Sequence, residues 1–96
     1  MSVRVTEGDL IELARRWDLL LITDGHARDV VPQARFLLGL RHQGWWQLLD
    51  RPAVLGWLTR LQQQGPPPDR PAGAGRWPTT AEIADAINAS GELPTG

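Results

Sequence analysis

His26 and His42 are the side chains in this 96-residue chain best suited to move a proton near neutral pH. His26 falls within Asp24-Gly25-His26-Ala27-Arg28-Asp29, which gathers ionisable groups at a turn, where active-site residues are often carried. On a helix His26 and Asp29 would share a face as a candidate base and its orienting carboxylate. Helix capping and a solvated turn account for the same residues. With no cysteine there is neither a thiol nucleophile nor a thiolate metal site. Ser2 and Ser90 are the two serines, and neither lies in a Gly-x-Ser-x-Gly turn. The histidines stand 16 residues apart, which fits no metal-ligand spacing. Gly73-Ala74-Gly75 lacks the strand and helix that a phosphate-cradling loop requires. The reading is a protein that is not an enzyme, with no catalytic residue, no metal and no cofactor.

Binding chemistry is better represented. All ten basic residues are arginine, a bias that GC-rich, bacterial codon usage favours. Arg35, Arg41, Arg51 and Arg60 face only Asp50 between positions 33 and 64, and Trp45-Trp46 offers a stacking surface beside them. That combination suits nucleic acid. The net charge of −1 supplies no global field to draw the chain to an anionic polymer. Trp17, Trp45, Trp46, Trp57 and Trp77 are many for this length, and Trp and Arg are the residues most enriched at interface hot spots. Trp45 and Trp46 cannot easily both face one small core, because neighbours on a helix or strand diverge. Trp77, between a flexible segment and a short helix, is free to dock. Pro68-Asp69-Arg70-Pro71 has Pro-x-x-Pro spacing but reads first as a spacer.

The elements that would position these residues read as helices. Thr6 caps a first helix whose apolar residues recur at Leu10, Leu13, Ala14, Trp17 and Leu21, with Gly25 as its stop. A hairpin competes for the same stretch: Trp17–Thr23 as a strand, Asp24-Gly25 as its turn, Ala27–Val31 returning. The absence of alternation in Leu19-Leu20-Leu21-Ile22 favours the helix. A second helix from Pro32, with Val31, Ala34, Leu37, Leu38, Phe36, Leu40 and His42 turned inward, is expected to be the most buried. Trp45–Leu49 adds a helical turn. Asp50-Arg51-Pro52 opens a third helix that runs to Gln64. Gly65–Pro78 holds five prolines and three glycines, so it reads as a linker.

Thr79-Thr80-Ala81-Glu82 matches a capping box, and Ile83, Ala84 and Ile87 form the stripe of the helix that follows. Residues 77–88, Trp-Pro-Thr-Thr-Ala-Glu-Ile-Ala-Asp-Ala-Ile-Asn, resemble the first helix of an XRE or LexA-repressor-type helix-turn-helix. The resemblance places Ile83, Ala84 and Ile87 at that motif's packing positions. Gly91-Glu92-Leu93-Pro94-Thr95-Gly96 supplies no recognition helix, so it implies descent from a regulator more than a working DNA reader.

The expected fold class is all-α, a small helical bundle over 1–64, a Pro/Gly linker over 65–78, a C-terminal helix over 79–90 packing on the bundle, and a frayed tail over 91–96. The N-terminus lacks a secretory pattern and the longest apolar run, Leu19–Ile22, cannot span a bilayer, so a cytoplasmic protein without a membrane partner is expected. The expected function is a small helical module that binds another protein or itself as a homo-oligomer. Its partner-binding residues are Trp45, Trp46, Trp57 and Trp77. The alternative is a DNA-associated transcriptional regulator using Arg35, Arg41, Arg51 and Arg60.

Overall fold

Leu19–Thr23 is buried at every position, and the other elements are arranged to cover it from both sides. The computed structural model describes residues 3–95, and this segment is its first strand, β1. It lies between β2 (Arg28–Pro32) and β3 (Trp46–Asp50) in an antiparallel sheet of order β2-β1-β3. The helices are α1 (Glu7–Leu13), α2 (Gln33–Leu38), α3 (Arg51–Gln64) and α4 (Thr80–Ser90). The fold is therefore α+β, and the expectation of an all-α helical bundle is overturned. The unbroken apolar run that argued for a helix is how a central strand reads when both its faces are covered. A helix continuing through Leu21 would bury one stripe of those residues; the strand buries all of them. Trp45–Leu49, expected as a helical turn, supplies β3 because β1 needs a second partner for its backbone.

Alternation divides the sheet into two dissimilar faces. Leu19 and Leu21 pack with Leu48 and Leu49 against Leu10 and Leu13 of α1, Leu61 of α3, and Ile83, Ala84 and Ile87 of α4. Leu20, Ile22 and Val31 form a smaller cluster on the opposite face, under Phe36 and Trp45. A bulge in β3 serves the larger core. Leu49 pairs with Leu21 and Gln47 with Ile22, which leaves Leu48 as the extra residue. Two consecutive leucines thereby enter the same cluster, which a regular strand would forbid.

Caps fix where the helices begin. Thr6 Oγ1 accepts the Asp9 N–H and Asp9 Oδ2 accepts the Thr6 N–H. The same Asp9 oxygen takes the Arg28 Nε–H at 2.8 Å, which ties α1 to β2. Asp50 caps α3 through the Ala53 N–H, with Pro52 in the first turn. Thr79 and Glu82 form the reciprocal pair that starts α4. At the far end of α4, Asn88 reads the backbone of Val5 in both directions. Its Oδ1 accepts the Val5 N–H and its Nδ2 donates to the Val5 carbonyl, each at 2.7 Å.

The segment between α3 and α4 is organised by one side chain. Arg70 donates through Nε and Nη2 to the Glu82 carboxylate at 3.1 and 3.2 Å. It also donates to the carbonyls of Ala74, Gly75 and Arg76, and its guanidinium lies over the Trp77 ring. Trp77 in turn donates its indole N–H to the Leu61 carbonyl at 2.7 Å. Proline and glycine exclude regular structure here, and the fork of Arg70 replaces it.

One helix departs from its expected burial. α2 is short and ends at Gly39, whose N–H reaches the Arg35 carbonyl. A Cβ at Gly39 would stand 2.5 Å from that same carbonyl oxygen, so the position excludes any side chain. Phe36 is the helix residue packed onto the smaller cluster, and none of its residues is fully buried. The expected inward placement of Leu37, Leu38 and Leu40 is overturned. Six residues make under two turns, too few to present a continuous stripe.

Two outcomes follow from this packing. Leu21→Ala empties a fully buried site and should cost about 2–5 kcal/mol in urea unfolding, whereas Leu38→Ala should stay within about 0.5 kcal/mol. The Arg70 guanidinium, helped by the Thr79 N–H, holds the Glu82 carboxyl down to about 2. A folded-state pKa below the unfolded one adds stability above the usual glutamate range and loses it as pH falls toward about 2. Thermal midpoints recorded across that window should fall with pH, and Glu82→Gln should flatten the fall.

Candidate functional site

The two faces of the sheet are covered unequally. Three helices close the larger core, while α2 and the chain to Trp45 alone cover Leu20, Ile22 and Val31. On this thin side Leu37, Leu38 and Leu40 are 68%, 85% and 79% exposed. Trp17 is 79% exposed and stands one residue from Asp18, whose carbonyl accepts the Gln33 N–H at the start of α2 at 2.8 Å. Leu37, Leu38 and Leu40 thus leave three large apolar side chains in water at and just beyond the end of α2.

Beside that ridge lies a cleft of about 310 Å³, bordered by Asp29, Pro32, Arg35, Gly39, Arg41 and His42. β2 supplies Asp29, α2 supplies Arg35, and the turn after Gly39 supplies Arg41 and His42. His42 Nε2 and Asp29 Oδ2 are 3.1 Å apart, and the His42 side chain is only 8% exposed. An ionised Asp29 accepts only, so the Nε2 proton points at it. The Trp45 ring meets His42 edge-on at 4.8 Å and fixes the imidazole from another side. The other Asp29 oxygen, Oδ1, accepts the Val30 N–H at 2.9 Å. Arg35 and Arg41 make no ion pair among the described residues, unlike Arg15, Arg16, Arg28, Arg60 and Arg70.

Two of the three outward backbone positions of β2 offer no N–H to an added strand. The Gln33 N–H faces the β1 side, where it meets Asp18, so alternate N–H groups at Val31 and Asp29 do the same. The outward groups belong to Arg28, Val30 and Pro32. Pro32 has no N–H, and that of Val30 is occupied by Asp29. These are edge-blocking devices.

The sequence candidates divide as follows. Arg35 and Arg41 meet in the cleft, while Arg51 and Arg60 are not among its lining residues. Arg60 pairs with Glu92 at 3.3 Å and lies over the Trp57 ring at 4.6 Å. Trp45, Trp46, Trp57 and Trp77 are all half-buried against the core clusters. Trp46 donates its indole N–H to the Pro94 carbonyl and borders a second cavity of about 220 Å³ with Leu48, Ile87 and Leu93. The most exposed indole is Trp17, which helical periodicity had assigned to an inward stripe. His26 is exposed in the hairpin turn, where Asp24 Oδ1 accepts the N–H groups of His26 and Ala27 and is held below the usual carboxylate range by them. Asp29 has the other histidine, His42, as its partner. That pair spans a strand, a helix and a turn, so no local spacing could have announced it. Among the described residues, no group of three or more His, Asp or Glu side chains gathers as metal ligands would, and no helix is long and apolar enough to cross a membrane.

Compared with protein-family models, curated proteins and solved structures, the chain finds no match. Iodide quenching of the indole emission checks the placement of the rings. Trp17→Phe should remove the most readily quenched component, while Trp46→Phe and Trp77→Phe should leave it in place.

Proposed function

We propose that this protein is a docking module that binds a helical or irregular apolar segment of another protein. The ridge of Leu37, Leu38 and Leu40, with Trp17 at the start of α2, receives that segment. The observation that carries the reading is the exposure of Leu37, Leu38 and Leu40 at the end of the short helix that covers the thin face, with Trp17 exposed in the turn before β1. Burying them would release apolar surface from water at roughly 25 cal/mol per Å². The withdrawn N–H groups of β2, the strand next to the cleft, disfavour strand addition on that edge, and the reading rests on side-chain contacts.

Charge favours a different protein over a second copy in this reading. Pairing two of these faces would bring two Arg35–Arg41 sets into one interface. The cleft's own carboxylate, Asp29, has both oxygens engaged and offers the other copy nothing. A partner that brings its own acidic groups meets no such conflict.

Selection of a displayed random peptide library on the intact protein tests this. Enriched peptides should be apolar and should lose at least about tenfold in affinity, or 1.4 kcal/mol, for a Leu38→Ser/Leu40→Ser variant. Peptides that bind the variant equally well, or no enrichment, would overturn the proposal. A dimer of the wild-type chain that the double variant dissolves would replace the partner with a second copy. Salt-sensitive duplex binding lost in an Arg35→Gln/Arg41→Gln variant would replace it with DNA.

A further inference from the structure

We infer that the cleft beside α2 is a carboxylate-binding site, which reads an acidic side chain of the segment docked on the ridge. This rests on the docking reading for the source of the carboxylate, but the site itself stands on separate observations. Arg35 and Arg41 reach the same cleft from opposite ends of the α2 turn, and neither has an ion-pair partner among the described residues. Guanidinium groups are the donors best matched to a planar carboxylate. The cleft already holds a buried histidine locked by Asp29 and Trp45, so its wall is built and not merely lined by mobile side chains.

Asp29 limits the charge of the guest. Arg35 and Arg41 offer guanidinium donors to an anion, while the Asp29 carboxylate on the same wall repels an anion more strongly the more negative it is, which favours a planar monoanionic carboxylate over a phosphate dianion. Asp29 does not occupy the site as its own guest, because Oδ1 is taken by the Val30 N–H and Oδ2 by His42. His42 spends Nε2 on Asp29, and its Nδ1 makes no hydrogen bond among the described residues. Pro32 and Gly39 line the cleft without a long side chain of their own, and a Cβ at Gly39 would crowd the Arg35 carbonyl.

The test uses the full chain, isotope-labelled, with small probes in place of a partner. N-acetyl-glutamate amide, its glutamine counterpart and inorganic phosphate are titrated while the Arg35, Gly39, Arg41 and His42 resonances are followed. The glutamate probe should shift these signals saturably, the glutamine probe should not, and phosphate should bind more weakly than the glutamate probe. The Arg35→Gln/Arg41→Gln variant should weaken the glutamate probe at least about tenfold, the loss expected for charge-assisted hydrogen bonds. Equal shifts from glutamate and glutamine, tighter binding of phosphate, or an unaffected double variant would overturn the assignment. The Leu38→Ser/Leu40→Ser variant separates the two proposals, because it should abolish peptide docking yet retain the glutamate response. The glutamine comparison needs no variant, so a misfolded arginine mutant leaves the test intact.

Discussion

A strand with apolar side chains on both faces must be covered twice, and β1 imposes that demand on everything else in the molecule. Leu19 and Leu21 are satisfied by three helices, which is why α1, α3 and α4, from distant parts of the chain, converge on one side. Leu20 and Ile22 have far less chain to cover them. Six residues of α2 and the turn to Trp45 suffice to seal Ile22 completely, but only by turning Phe36 inward and leaving the neighbouring leucines in water. The exposed ridge is thus a consequence of how the inner strand is closed. The same shortage of cover opens the cleft, since α2 ends at Gly39 before reaching across β2.

The polar parts of the fold are placed where apolar packing runs out. Asp29 sits on the edge strand and does two jobs with one carboxylate: it covers the Val30 N–H and holds His42. Arg70 does comparable work on the other side of the molecule, where proline and glycine leave carbonyls without helix or sheet partners. Charge-assisted hydrogen bonds from a single planar group satisfy several of those acceptors together.

Local signals in the sequence were legible wherever the physics was local. Thr79 with Glu82, Thr6 at the head of α1, and Asp50 before Pro52 describe their own caps, because each cap is made within one turn. The sheet was not legible from periodicity, because a strand buried on both faces erases the alternation that identifies strands, and Asp24-Gly25 had to compete against a helical stripe running from Leu10 to Leu21. The inversion of α2 was hidden for a related reason. Its leucines have the same chemistry whether they face a core or a partner, and only the thickness of cover on the second sheet face distinguishes the two. Arg35 and Arg41 stood out in the sequence, with Arg51 and Arg60, as candidate nucleic-acid contacts beside Trp45-Trp46, but that two of the four share a cleft with Asp29 and His42 follows only once β2 is in place.

The clasp between Asn88 and Val5 binds the opening stretch of the chain to its final helix across 83 residues. α1 and α4 also lean on each other directly within the larger core. Neither helix is therefore a self-sufficient half, and the larger core is complete only when both are in place. Such wiring favours all-or-none cooperativity over piecemeal loosening, because the helices behind the thin face lean on contacts between distant parts of the chain.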